Sequence, residues 1–588
     1  MTEIPEYRYQ PLANDDNTRF IRLYPAAHFD DPIHVDIVEG AYDVSKIHDT
    51  VSYEALSYAW GSGETSAYIF VGPNSRLRVR RNVTQILRYL RDGISPGCAA
   101  RILWIDVMYI NQTDDEEKGK QVTMMGNIYA CALSVLIWTG KPGCDLQALQ
   151  RSFKGKGRIT TWTSDEIARL MQFFGTGWFT RRWVVQEIMH ARQAYVISGN
   201  GTMQWQEFRS FVMILKNTII SEALTPPLVA ILHHLCNLTA VRSAETENSS
   251  LRNKGNTDAR TNGVTAEAES MTTLLTRYYT TKCADDRDRI YALRSLSSTS
   301  ISVDYQVSAN ELYVHLSQIE VVRYPMAIMS CAGSFGVFAA SWIPDWRLPM
   351  RYSPFQSSLR QRCPPQPVGG SLVTVANSLL MIQASFGGVV GSVVDPPGPR
   401  YETEDKTLYR WGKHFIQHYD TGTSEQKSMD VMILHRALRA IPIEDDVADS
   451  QLSPDKQEPR TRWEKLIRSW NSYDEKSVLS RTKLLFEAYK IGLAHTKRGR
   501  TCFFTSTGLF GIGPDTIQIG DCVVNMPGCD SMMALRPRDI EQNIEQMYGD
   551  MGPSQYPAMT VVGDCWIPEL VKSNRQNTTS NLRTFHIV

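Results

Sequence analysis

Glu187 closes the run Phe179-Thr-Arg-Arg-Trp-Val-Val-Gln-Glu187 and stands four residues after Trp183. Residues at that spacing share one face of a helix, so the pattern predicts a carboxylate beside an indole. A carboxylate partly withdrawn from water titrates above its ordinary range, which suits general acid/base work or stabilisation of a developing cation. Arg181 and Arg182, just upstream, are candidates to hold a pyrophosphate. A plainer reading of the same residues pairs Glu187 with an arginine and staples the helix down.

Two further segments carry polar groups that a core alone does not ask for. In Tyr53-Glu-Ala-Leu-Ser-Tyr-Ala-Trp-Gly61, Ser57 and Tyr58 end a predicted strand, and Gly61 permits close backbone approach. Trp60 offers a stacking face and can equally roof the core. In Leu103-Trp-Ile-Asp-Val-Met-Tyr-Ile-Asn-Gln112, Asp106 follows a short apolar run, and Asn111 and Gln112 precede a helix start whose free N–H groups suit a phosphate. Asp106 can equally lock a loop, and Asn111 can be a turn residue. The catalytic candidates are Glu187 and Asp106. The substrate-binding candidates are Ser57, Tyr58, Trp60, Gly61, Asn111, Gln112, Arg182 and Trp183. On a parallel α/β sheet these groups would meet beyond the carboxyl ends of the strands.

The elements that must position them alternate. Strands are predicted at His34–Val38, Leu56–Ala59, Tyr68–Val71, Ile102–Ile105, Ser134–Trp138 and Ala194–Ile197. Helices are predicted after an Asn82 cap, after the capping boxes Thr113–Glu116 and Thr163–Glu166, and over about 180–191. The stretch 102–138 reads as a βαβ unit. An α/β domain over 51–200 thus follows a lead-in over 1–50. A mainly helical region over 201–360 contains a flexible polar insertion at 241–270, and 445–460 reads as an exposed loop. The last region, 361–588, ends in a small Gly-rich β domain, a barrel or a sheet.

Composition bounds the function. The 588 residues carry 62 Lys plus Arg against 62 Asp plus Glu, so no overall field favours nucleic acid or an anionic membrane. Eleven scattered cysteines without a C-x-x-C pair suggest neither a zinc site nor a disulfide framework. The pair His233-His234 reads as a core or interface feature rather than a metal site. The N-terminus lacks a signal-peptide pattern, and no apolar run approaches the ~20 residues of a membrane span. A cytoplasmic protein is expected. No P-loop, no G-x-G-x-x-G at the βαβ unit and no G-x-S-x-G elbow is present.

In their order and spacing the three segments resemble the heterokaryon incompatibility (HET) domain of filamentous fungi. Asp286-Arg-Asp-Arg-Ile-Tyr-Ala-Leu293 and Ser341-Trp-Ile-Pro-Asp-Trp346 resemble segments that recur downstream in full-length members. The Gly-rich end, with Val561-Val-Gly-Asp564, is similar to that of the HET-6 type. The resemblance implies non-self recognition and regulated cell death, with an incompatible allele's product or self-association as the partner. Trp183-x-x-x-Glu187 and the strand Ala55-Leu-Ser-Tyr58 are also similar to TIR domains, whose flavodoxin-like parallel sheet carries a glutamate that supports cleavage of the nicotinamide–ribose bond of NAD. NAD is then the expected substrate, Glu187 the catalytic carboxylate, Trp60 or Trp183 a stacking wall, and no cofactor or metal is implied. Most relatives place a cysteine where this chain has Tyr109, so a thiol mechanism there is out. The ending Cys565-Trp-Ile-Pro-Glu-Leu570 departs from the usual His-, Gly- and Met-rich one. Two other roles remain: a non-enzymatic recognition module, and an accessory enzyme of a secondary-metabolite pathway.

Overall fold

A computed structural model describes residues 4–14, 17–42, 52–61, 65–91, 100–109, 115–140, 146, 163–199, 201–219, 231–238 (except 233 and 237), 269–359 (except 337, 353, 356 and 357), 372–393 (except 377), 499–538 (except 528 and 530), 557–567, 570 and 582–588. The expected insertion over 241–270 falls almost wholly outside them, and the expected loop at 445–460 lies outside them entirely. The chain divides into two compact units, Met1–Glu269 with Thr280–Ala309, and Ser270–Tyr279 with Asn310–Val588.

The first unit is built on a nine-stranded sheet. Its strands are β1 (Asn17–Leu23), β2 (His34–Ala41), β3 (Glu54–Tyr58), β4 (Thr65–Val71), β5 (Ser75–Arg80), β6 (Arg101–Trp104), β7 (Val135–Trp138), β8 (Ala194–Ser198) and β9 (Gly201–Gln204), in the order β5-β4-β2-β1-β6-β3-β7-β8-β9. The neighbours β6, β3, β7 and β8 are all parallel. Counted along the chain, these four lie in the order second, first, third, fourth, which is the flavodoxin-like winding. The expected βαβ unit over 102–138 is present as β6, the helix Asp115–Cys131 and β7, with one strand between its two. Strands β6 and β7 are parallel but not adjacent, because β3 lies between them. Strand β7 is buried at every position, as a strand covered on both faces must be.

Helices α1 (Arg81–Arg91), α2 (Asp115–Cys131), α3 (Ser164–Phe174), α4 (Val184–His190) and α5 (Trp205–Ile219) belong to this unit, as do one-turn helices at Asp106–Tyr109 and Asp288–Tyr291. Helix α1 turns Val83, Ile86, Leu87 and Leu90 inward as one apolar stripe. Asn82 is not its cap but lies inside it, and the amide donates to the carbonyls of Ala59 and Trp60 at 2.9 and 3.0 Å. At Thr163 the capping box is present, with Thr163 Oγ1 accepting from the Glu166 N–H and Glu166 accepting from the Thr163 N–H.

In the second unit, α6 (Met271–Arg277), α7 (Ala309–Val321) and α8 (Pro325–Phe335) accompany strands β10 (Val373–Ala376), β11 (Leu379–Val393), β12 (Arg500–Thr505), β13 (Phe510–Pro514), β14 (Cys522–Asn525), β15 (Met532–Pro537), β16 (Met559–Cys565) and β17 (Arg583–Ile587). Strand β17 returns to pair with β11, which closes β11, β14, β15, β16 and β17 into a ring. Met326, Ile328, Met329 and Trp342 share one core with Leu380, Ile382, Val524, Leu535 and Ile587. The Ser341–Trp346 motif clasps the ring. Trp342 Nε1 donates to the Ser378 carbonyl at 2.8 Å, and Ser341 Oγ accepts from the Val561 N–H at 3.0 Å.

The Val561–Asp564 motif has a physical reason as well. Gly563 sits at φ 145°, and a Cβ there would fall 2.0 Å from the Tyr352 hydroxyl. Asp564 accepts from Arg500 Nη2, the Phe355 N–H and Ser358 Oγ at 2.6, 2.7 and 2.7 Å. The Arg500 guanidinium lies over the rings of Tyr352 and Phe355, at 4.3 and 4.1 Å from their centroids. Gly563→Ala is expected to lower stability by about 2–4 kcal/mol through strain and overpacking together. Gly508→Ala, at φ +85° with nothing within 4 Å, should cost only about 1 kcal/mol. Denaturant unfolding of both variants checks the difference.

Candidate functional site

Strand β3 ends with Ser57 and Tyr58, and the chain leaves it through the turn Ala59–Gly61. Asn82 holds this turn, and so does Arg80, whose Nη1 donates to the Gly61 carbonyl at 2.7 Å. Asp106 begins the one-turn helix after β6, and Glu187 sits in the first turn of α4. The winding places β3 and β7 where the connections diverge to opposite sides, the usual ligand crevice of such sheets.

Side chains from these elements form one continuous network. The Trp178 indole N–H donates to Ser57 Oγ at 2.8 Å, and Ser57 Oγ donates to Glu187 Oε2 at 2.5 Å. Arg181 then bridges both acids. Its Nη1 donates to Glu187 Oε1 at 3.0 Å and to the Tyr58 carbonyl at 2.9 Å, and its Nη2 donates to Asp106 Oδ2 at 2.9 Å. The same Asp106 oxygen accepts from the Trp60 indole at 2.8 Å. The Arg181 guanidinium lies 5.6 Å from the Trp60 ring centroid, and Arg80 lies 5.8 Å from it.

Glu187 is fully buried, Asp106 is 2% exposed, and Trp60 and Arg181 are only partly covered. Burial pushes the Glu187 carboxyl up from 4.5 to about 7; Arg181 opposes the rise, Asp106 adds to it and the Ser57 hydrogen bond opposes it. Tyr58 is raised well above its ordinary value by burial, with Asp106 contributing. Arg181 stays charged, since Glu187 and Asp106 outweigh its desolvation. Two acids share one bridging guanidinium, with both carboxylates withdrawn from water. Such a cluster favours a cation that develops beside it.

The structure thus brings together Ser57, Tyr58, Trp60, Asp106 and Glu187, with Gly61 exposed at the rim. It takes Arg182 and Trp183 elsewhere. Arg182 Nη1 donates to the Arg289 carbonyl at 2.9 Å, and the Trp183 indole donates to Asp288 at 3.1 Å. The indole linked to Glu187 through Ser57 is that of Trp178, and the bridging arginine is Arg181. Trp178 sits in a short 3-10 turn that no spacing rule flags. Asn111 and Gln112 lie outside the described residues, as does Thr113, the first residue of the expected Thr113–Glu116 capping box. His234 is buried, and burial with nearby Arg182 pushes its pKa down to about 3. No group of three or more potential metal ligands occurs among the described residues.

The sequence model of the family described as heterokaryon incompatibility protein (HET) matches residues 53–187, the stretch that runs from the start of β3 to Glu187. The heterokaryon incompatibility protein 6, OR allele, of Neurospora crassa is 32% identical over 145 residues, which cover 23% of this chain and 21% of that protein. The chain therefore matches about a fifth of the length of this curated relative. No solved structure matches the chain.

Two outcomes are expected. Removing Arg181 (Arg181→Met) should cost about 3–5 kcal/mol, because it leaves buried acids without a counter-charge. Because the folded-state value of Glu187 lies above the ordinary 4.5, its contribution to stability is full below pH 4.5 and is lost as pH rises through about 7. Glu187→Gln should therefore gain on the wild type between pH 5 and pH 8, by up to about 3 kcal/mol, in equilibrium denaturation at the two pH values.

Proposed function

This chain carries a HET-family domain, and on that premise we propose that it acts in heterokaryon incompatibility, as a cell-death effector whose α/β domain cleaves the nicotinamide–ribose bond of NAD. The observation that carries the reading is the Glu187 carboxyl at a parallel-sheet crevice, buried, raised to about 7 and joined to Asp106 through Arg181. Departure of nicotinamide leaves an oxocarbenium-like ribose, and a carboxylate beside it lowers the energy of that charge while water attacks. Glu187 is the catalytic carboxylate, with Asp106 reinforcing the negative field. Trp60, partly exposed, is the stacking wall. Of the two arginines that the sequence offered for a pyrophosphate, Arg181, the site's guanidinium, takes the phosphate role and Arg182 does not. The relative from Neurospora crassa supports the incompatibility role by its name, and Trp183-x-x-x-Glu187 supports the TIR-like chemistry.

The partner in this reading is the product of an incompatible allele or a second copy of the chain. The setting is the cytoplasm. Among the described residues, no helix is long and apolar enough to cross a membrane.

A second reading, a recognition module without catalysis, is favoured by the full enclosure of Glu187 between Ser57 and Arg181. Purified wild-type protein at high concentration should consume NAD and release nicotinamide, and Glu187→Gln should abolish this while leaving the fold intact. The rate should rise with pH through about 7 as Glu187 ionises. Equal turnover in the Gln variant would remove Glu187 from the mechanism. Absence of turnover in both proteins would favour the recognition module.

A further inference from the structure

Helix α4 carries Glu187 but has little to hold it in place by itself. It is seven residues long, and its N-cap, Trp183, makes no side-chain capping bond. A helix of two turns has almost no independent stability. Its orientation, and that of the Arg181–Trp183 segment before it, must come from outside contacts.

Those contacts come from a stretch about a hundred residues later. The Lys282 N–H donates to the Thr180 carbonyl at 2.6 Å, and the Arg182 N–H donates to the Lys282 carbonyl at 2.8 Å, so Arg181 and Lys282 form a bridge. Arg182 reaches the Arg289 carbonyl. Asp288 is the central acceptor, with one oxygen receiving the Trp183 indole at 3.1 Å and the other the Tyr305 hydroxyl at 2.7 Å. The Tyr305 ring is held in turn, with the Lys118 ammonium 3.7 Å and the Arg287 guanidinium 5.1 Å from its centroid. Both oxygens of Asp288 are thus committed, one to the Trp183 indole on the segment carrying Arg181 and the other to the Tyr305 hydroxyl.

We propose that Asp288 is a positioning residue for the Arg181–Glu187 site. It acts through the Trp183 indole, so the working unit of this domain includes residues 280–309 beyond the stretch 53–187. Trp183 lies two residues after Arg181, and its carbonyl accepts the Glu187 N–H at 3.2 Å. Fixing that one indole fixes the start of α4 and the approach of Arg181 to its three acceptors. The motif Asp286–Leu293 then has a role at the site although none of its residues enters it. The proposal rests on the NAD reading only for what the site does, not for how the site is held.

The test uses the full chain and an arginine-specific reagent, phenylglyoxal, with adducts at each arginine quantified by peptide mass spectrometry. In the wild type, Arg181 is 15% exposed and held by three acceptors, and should react slowly beside the exposed Arg22. Asp288→Ala should raise Arg181 labelling relative to Arg22 by about tenfold, the factor for losing one hydrogen bond to a charged group. Asp288→Asn should restore protection, since the amide oxygen still accepts the indole. Trp183→Phe, which removes only the donor, should behave as Asp288→Ala and decides the matter if that variant fails to fold. Arg19 and Arg91, buried elsewhere in the same unit, should stay protected throughout. Unchanged Arg181 labelling in the folded variants, or a matching rise at Arg19 and Arg91, would overturn the proposal. If the wild type cleaves NAD, Asp288→Ala should lower kcat more than it alters KM. Lack of cleavage in the wild type would count against the NAD reading alone, because the labelling result does not depend on turnover.

Discussion

One guanidinium between two carboxylates is the interaction on which the first unit turns. Arg181 reaches Glu187, Asp106 and the Tyr58 carbonyl, and so ties β3, the helix after β6 and α4 at a single point. Removing several charges from water is expensive, and it is tolerated only when the charges satisfy one another with good geometry. Here two carboxylates share the one guanidinium that bridges them. Burial then lifts Glu187 to about 7, where a carboxyl exchanges its proton near neutrality. The constraint that holds the crevice together also gives it chemical potential.

The second unit contains the same kind of pair with a different balance. Arg500 and Asp564 match one to one, and the carboxylate also receives the Phe355 N–H and the Ser358 hydroxyl. Two aromatic rings flank the guanidinium. Both oxygens of Asp564 are engaged, and the Val-Gly-Asp step that looks like a motif reads as a structural clamp. Geometry and charge count, rather than burial alone, separate the candidate site from the staple.

The match to the HET family ends at Glu187, yet the compact unit continues through 280–309. A short helix that carries a charged site needs external anchoring, and that anchoring enters from a distant stretch of chain. Sequence similarity concentrated in a segment therefore marks where the chemistry sits rather than everything that supports it.

Local signals in the sequence determined a good deal. Apolar runs marked the strands around Leu56, Ile102 and Val135, and capping-box residues marked the Thr163 cap, because these depend on neighbours a few residues away. The same signals placed Ser57 and Asp106 at the ends of strands and Glu187 within a helix. What only the tertiary structure decided is which side chains turn toward one another. Spacing made Trp183 the companion of Glu187, but Trp183 occupies the N-cap, and its indole goes to Asp288. Trp178, in a 3-10 turn, reaches Ser57 instead. Arg181 rather than Arg182 enters the crevice, since consecutive residues leave an extended segment on opposite sides and the bridge to Lys282 selects the side. The insertion of β3 between β6 and β7 belongs to the same class. Pairings between residues tens to more than a hundred positions apart leave no trace in local spacing, and those pairings make the site.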